Sequence, residues 1–280
     1  HRFENRIRKL DTATVFTSGT GKLAQLLEHH FNRINTPEFI DNDPVKFPRR
    51  YHDLRDIEIA GILCSTIAWG RRTMILGSCE RMLGSMGDSP YDYVMSADLD
   101  SLPEEGKAVH RTFSRRDLKF FLRALRRIYS RHDTLEELFS PRPGEDGLWD
   151  GIARFRAEML SCEHHQEGER HISCPEKGSA CKRLHLFLRW MVRRDGIVDL
   201  GVWKNIKPSQ LSIPLDVHVG NMARMLGILN RNQNDRRAVQ QIDAFLRRLD
   251  PEDPAKYDYA LFGLGESGYF ENNLRATNEL

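Results

Sequence analysis

Two residues of complementary chemistry stand 34 positions apart in the second half of the chain: Lys182 and Asp216, each at the start of an amphipathic stretch. A neutral amine attacks an electron-poor carbon, and an aimed carboxylate stabilises positive charge developing there. In "SIPLDVHVGNMARMLG", Pro214 fixes an extended entry and Asp216 falls where an N-cap belongs. Val219, Met222, Ala223 and Leu226 then follow at helical spacing, and Gly227 is placed to end the helix. Capping alone accounts for the aspartate, but the N–H groups that make it a cap also keep a carboxylate ionised and aimed.

The earlier phrase, "GSACKRLHLFLRWMVRR", puts Leu184, Phe187, Leu188 and Met191 on one stripe, so a helix with a buried face follows the turn at Gly178–Ala180. Lys182 stands in its first turn. There the positive end of a helix dipole disfavours an ammonium, and burial in a cleft favours the nucleophilic amine. Arg189 and Arg193, seven and eleven residues on, form a row suited either to phosphates or to plain solvation.

Helical periodicity governs the elements that must hold these residues, and no run alternates as a strand does. Ile59, Ile62, Leu63 and Ile67 share one face; Gly70 interrupts, and a second helix is predicted from about Thr73 to Leu83. Leu118, Phe121, Leu122, Leu125 and Ile128 give Asp117–Ser130 an apolar face opposite its arginines. Further helices are predicted at about Arg183–Arg194, Val217–Leu226, Arg236–Leu249 and Lys256–Leu264. "SPRPGEDG" (140–147) is a turn-rich break, and 163–173 is polar and irregular. The expectation is an all-α protein of ten or so helices without internal repeats.

A chain of 280 residues with 40% apolar composition can bury a substantial core. No stretch approaches the roughly 18 consecutive apolar residues that a membrane span needs, and no apolar signal core opens the chain, so a cytoplasmic protein without a membrane partner is expected. The chain opens on His1, so its beginning is expected to be trimmed or artificial. Cys64, Cys79, Cys162, Cys174 and Cys181 form an odd set without a repeated short spacing, which suits reduced thiols. Net charge is only +2, yet eight basic residues against one acid fall between Arg111 and Arg131, while Asp88–Glu105 is acidic. A basic face of that kind can hold a polyanion, although a solvated helix face is the blander reading.

The phrases "GSACKRLHLFLRWMVR" and "IPLDVHVGNMARMLG" resemble the lysine helix and the aspartate helix of the helix-hairpin-helix DNA glycosylases. Their separation is most similar to the archaeal 8-oxoguanine DNA glycosylase branch, and the phrases also resemble a bacterial family that shares them. The likeness covers Lys182 to Phe262, with a looser one in "DIEIAGILCSTIAWGRR" to the family's early buried helix. It implies two helical lobes with a cleft between them: residues 55–190 as a central lobe ending in the lysine helix, and 1–54 with 191–280 as the second, carrying the aspartate helix. It implies Lys182 as nucleophile and Asp216 as the carboxylate facing the sugar. In "KYDYALFGLG", Asp258 and Phe262 are similar to an acid and an aromatic of the flipped-base pocket, and Phe187 and His218 are further substrate-binding candidates. Gly178, Arg183, Arg189, Arg193 and Arg71 are the candidates for contact with DNA.

Two phrases depart from that family. The Gly-rich turn that grips phosphate through backbone amides reads "CPEKGSAC" here, keeping only Gly178, and Trp69-Gly70-Arg71-Arg72 stands where a glutamine-rich phrase is usual. The activity implied is a bifunctional glycosylase/lyase that excises a damaged base, 8-oxoguanine foremost, from double-stranded DNA through a lysine Schiff base. It would act as a monomer at the nucleoid, with no cofactor. The alternative is a non-catalytic helical nucleic-acid-binding protein that uses the basic Arg111–Arg131 face. Cys162, His164, His165, His171 and Cys174 are metal-ligand types, but their spacing matches no standard zinc site, so no metal is expected. "TSGTGK" (17–22) lacks the spacing of a phosphate loop.

Overall fold

The computed structural model describes residues 12–268, with side chains from residue 20 onward. Among them are twelve α-helices: α1 (Thr12–Ile34), α2 (Pro37–Asp41), α3 (Leu54–Thr66), α4 (Arg72–Gly84), α5 (Pro90–Ser96) and α6 (Arg115–Tyr129), then α7 (Glu136–Phe139), α8 (Gly147–Leu160), α9 (Lys182–Val192), α10 (Val217–Met225), α11 (Arg236–Leu249) and α12 (Tyr257–Glu266). Six 3₁₀ segments join them. The described residues are all-helical: two isolated bridges, His110 with Phe113 and Ser179 with Asp235, are the only β pairing among them. None of the described helices is long and apolar enough to cross a membrane. The expectation about the chain's beginning falls on residues outside those described.

Helix α3 is the centre of the fold, with every residue from Asp56 to Thr66 buried. It runs against α9 at close range: a Cβ at Gly61 would stand 3.0 Å from both the Met191 methyl and the Phe187 ring. Inside α3, the fully buried Glu58 carboxylate accepts hydrogen bonds from Tyr129 Oη (2.7 Å), Trp203 Nε1 (2.7 Å) and the Leu135 amide (2.9 Å). Burial pushes its pKa up to about 7 against those three donors. One acid thereby ties α3 to α6, to the turn before α7 and to the segment after α9.

Helix α1 lies along α12. A Cβ at Gly263 would meet the Ile34 side chain at 2.5 Å, so only glycine permits that approach. Arg33 caps the contact by donating to the Gly263 carbonyl at 2.8 Å, and Tyr257 Oη donates to Glu28 at 2.7 Å. The apolar core runs without a break from Leu27 to Leu264.

Between α9 and α10 the chain is irregular but firmly held. Leu200 and Trp203 amides donate to the carbonyls of Trp190 and Met191, each at 2.9 Å, closing the end of α9. Leu211–Leu215 is buried, and the Ile213 amide donates to Asp243 of α11 at 2.9 Å. This buried run delivers Asp216 to the start of α10.

Candidate active site: a lysine and an aspartate across a cleft

Lys182 is the first residue of α9, and the turn before it is shaped by backbone rather than by a capping side chain. Gly178 (φ 79°) and Cys181 (φ 50°) both adopt the left-handed conformation, which costs a non-glycine residue such as Cys181 about 1–2 kcal/mol. The turn is pinned from outside, because the Arg236 amide at the head of α11 donates to the Gly178 carbonyl at 2.9 Å. Lys182 Nζ then reaches the Ala68 carbonyl at 3.4 Å and Asp216 Oδ2 at 3.7 Å.

Asp216 caps α10, its Oδ1 accepting from the Val219 amide at 2.9 Å. One oxygen is therefore fixed by the helix and the other faces the lysine. The two side chains are 30% and 37% exposed, fixed yet open to solvent. Both line a cleft of about 1110 Å³, which also takes in Trp69, Arg183, His218, Asp258 and Phe262.

Asp258 stands at the cleft floor, where Arg189 bonds it. Burial pushes the Asp258 carboxyl up to about 6 against the attraction of Arg189, and the nearby Asp216 charge adds to the rise. Phe262, a turn further along α12, meets Phe39 edge to face at 5.7 Å, and the Arg72 guanidinium lies 5.0 Å above its ring. Arg183 donates to the Thr66 carbonyl and stacks over Trp69 at 5.0 Å. No carboxylate among the described residues pairs with it, and burial pushes its pKa down to about 10. Trp69 is braced from behind by His110 and His171.

The structure corrects several sequence expectations. Arg189 and Arg193 form no outward row: they are 3% and 2% exposed and their guanidiniums are held by Asp199, Asp258, Asp195 and Asp253, with Arg189 at the floor of the cleft. The row lies inward because the return segment with Asp195 and Asp199, and the later residues Asp253, Asp258 and Tyr259, cover that face of α9. Phe187 is fully buried against Phe139 and Trp203, a core residue with no contact to the cleft. Gly178 lies outside the cleft wall, and its amide already donates to the Pro175 carbonyl at 3.1 Å, so it presents no free N–H to a phosphate. Arg71 is not among those corrected: it is exposed at the head of α4, between the cleft-wall residues Gly70 and Arg72.

The basic and acidic runs meet each other. Lys119 binds Glu104 at 3.0 Å and the Asp100 carbonyl at 2.8 Å, Arg123 binds Asp100, and Arg126 donates to the Val94 and Ala97 carbonyls. Much of the positive face on α6 is thus spent within the molecule. The histidines and cysteines of 162–174 likewise separate. His164 bonds the Cys162 carbonyl and Glu169, while the His165 and His171 rings lie 2.8 Å and 3.2 Å from the Asp117 carboxylate. Burial pushes the Asp117 carboxyl up, but hydrogen bonds from His171 and Ser114 outweigh it and hold the group well below the usual range. Among the described residues, no group of three or more such side chains is arranged for a metal ion.

The family described as "Protein of unknown function (DUF2400)" matches residues 43–267. The chain belongs to the DUF2400 family. No curated protein and no solved structure matches it. The match takes in both Lys182 and Asp216 and every described residue of the cleft wall except Phe39, so the cleft is built almost wholly from the DUF2400 region. Among the wall residues of this DUF2400 chain that sequence reasoning did not single out are Phe39, Asp43 and Arg72. Helical phase alone does not pick out Arg72, since 71 and 72 stand equally near the face of α4 that carries the buried Ile75, Ser78 and Cys79.

Proposed function

We propose that this DUF2400 member is a bifunctional DNA glycosylase/lyase that excises a damaged base, 8-oxoguanine foremost, from double-stranded DNA. The observation that carries the reading is the 3.7 Å approach of Lys182 Nζ to Asp216 Oδ2 at the edge of a solvent-reachable cleft. Its size supports the same reading: about 1110 Å³ exceeds what a single base requires and leaves room for its sugar. A two-lobed architecture like that of the helix-hairpin-helix glycosylases, with residues 55–190 facing 1–54 plus 191–280, belongs to the proposal, as does action at the nucleoid.

A base within a duplex shields its sugar, so the nucleotide is first swung out into the cleft. Lys182, after giving up a proton, attacks C1′; the bond from C1′ to the base breaks, and its electron pair leaves with the base, which takes up a proton. Asp216 stabilises the positive charge that builds on the sugar in this step. Opening of the sugar ring and loss of the remaining amine proton leave an imine between Lys182 and C1′. The imine acidifies the C2′ proton, and its removal expels the 3′ phosphate by β-elimination. Hydrolysis then frees the lysine. Phe262 and Asp258 lie where the everted base would rest, the ring offering a stacking face and the carboxyl a hydrogen-bond partner.

Borohydride reduction of the imine tests this reading. Wild type mixed with an 8-oxoguanine duplex forms a covalent adduct on reduction, and Lys182→Ala forms none. Equal DNA binding by both proteins with no adduct from either, across a panel of damaged bases, identifies a binding module instead.

A further inference from the structure

The cleft takes in the N-terminal half of α4, and at the C-terminal half lies a second cavity of about 360 Å³, between α4, α6 and the segment 102–109. Its floor is apolar: Met82, Met86 and Leu122 are 3%, 3% and 1% exposed, with Leu118 and Val109 beside them. Its rim is cationic, with Arg81 on one wall and Lys107 and Arg115 on the other, all three exposed, and no Asp or Glu contributes to the lining.

Those rim charges differ from their neighbours. Lys119, Arg116 and Arg123 each hold a carboxylate. Arg81, by contrast, makes a side-chain contact only with Ser78 Oγ at 3.2 Å, and Arg115 donates Nε to the Lys107 carbonyl at 3.0 Å. Neither forms an ion pair among the described residues, so the mouth carries uncompensated positive charge above an apolar floor. The wall is also rigid, because Ser78 is fixed by the buried His110, whose other ring nitrogen bonds the Trp69 carbonyl at 2.8 Å.

We infer that this cavity binds a small anionic amphiphile: a carboxylate or phosphate head held by Arg81 and Arg115, with an apolar chain over Met82 and Met86. Guanidinium groups recognise both heads by paired N–H donors, and the charge complement comes from the ligand because the protein supplies none. The volume sits at the small end of ligand pockets and takes a chain of about eight to ten carbons.

Titration calorimetry on the full chain, below the micelle threshold, tests the inference with decanoate, decyl phosphate and decanol as probes. Saturable one-to-one binding of decanoate or decyl phosphate is expected, and the stronger of the two names the head group. Decanol is expected to bind at least tenfold more weakly. Arg81→Glu, and Arg81→Glu with Arg115→Gln, are expected to weaken the anion at least tenfold with the thermal midpoint unchanged within a few degrees, both side chains being exposed. Absence of saturable binding by either anion overturns the inference. So does equal affinity for decanol, or equal affinity in the folded arginine variants.

Discussion

The guanidinium of Arg189 bonds the carboxylate of Asp258 beneath the cleft, two helical turns below Lys182, with both side chains almost withdrawn from water. Removing one member of such a pair leaves the other charge buried without compensation. Arg189→Met is therefore expected to lower unfolding free energy by about 3–5 kcal/mol in urea denaturation. For the proposed DNA complex, the salt dependence of binding is expected to be unchanged in the folded fraction, because the guanidinium is already held by Asp199 and Asp258.

Asp216 caps α10, and in the proposed reaction it also faces the sugar; the two tasks are separable. Asparagine caps a helix as well as aspartate does, so Asp216→Asn is expected to keep stability within about 0.5 kcal/mol. It removes the charge that would face the sugar, and single-turnover base release is expected to fall by about 10²–10³-fold. Asp216→Ala should add a stability loss of about 1 kcal/mol, read by thermal melting, from the missing cap.

Asp243, 3% exposed, anchors the Ile213 amide and so the run that delivers Asp216. Burial pushes its pKa up to about 6 from an ordinary value of 3.8. A raised folded pKa contributes stability that is fully present below the unfolded value and is lost as pH rises through the folded one. The advantage of wild type over Asp243→Asn should therefore shrink between pH 4 and pH 7, by at most about 1.4 kcal/mol per pH unit. Denaturant titrations across that range check the slope; an advantage that grows with pH contradicts it.

Gly151 lies in the middle of α8, where a Cβ would stand 2.3 Å from the Phe139 carbonyl oxygen. Alanine ordinarily stabilises a helix interior by about 1 kcal/mol over glycine. Here Gly151→Ala is expected to destabilise by about 1–3 kcal/mol, because the obstacle is backbone and not a side chain that can turn aside. Thermal melts of the two proteins decide the sign.

The same glycine explains what the sequence hid. α8 carries Gly147 and Gly151, which weaken its helical signature; the reason for Gly151 is tertiary, the close pass of Phe139, while Gly147 takes a positive φ of 52° at the helix start. Helices with full amphipathic stripes were legible, and α11 begins and ends where its pattern predicts, at Arg236 and Leu249. The lysine and aspartate starts were legible because a turn and a cap are local signals. The inward turn of Arg189 and Arg193 was not, since their covering carboxylates Asp199, Asp253 and Asp258 come from later segments. The neutralisation of the α6 arginines by residues of the acidic run had the same long-range cause.

The central claim concerns one atom, Lys182 Nζ. Wild type reduced with borohydride on an 8-oxoguanine duplex, digested and read by peptide mass spectrometry, is predicted to carry the sugar remnant on Lys182 and nowhere else. A remnant on another lysine, or trapping undiminished in Lys182→Ala, contradicts the account.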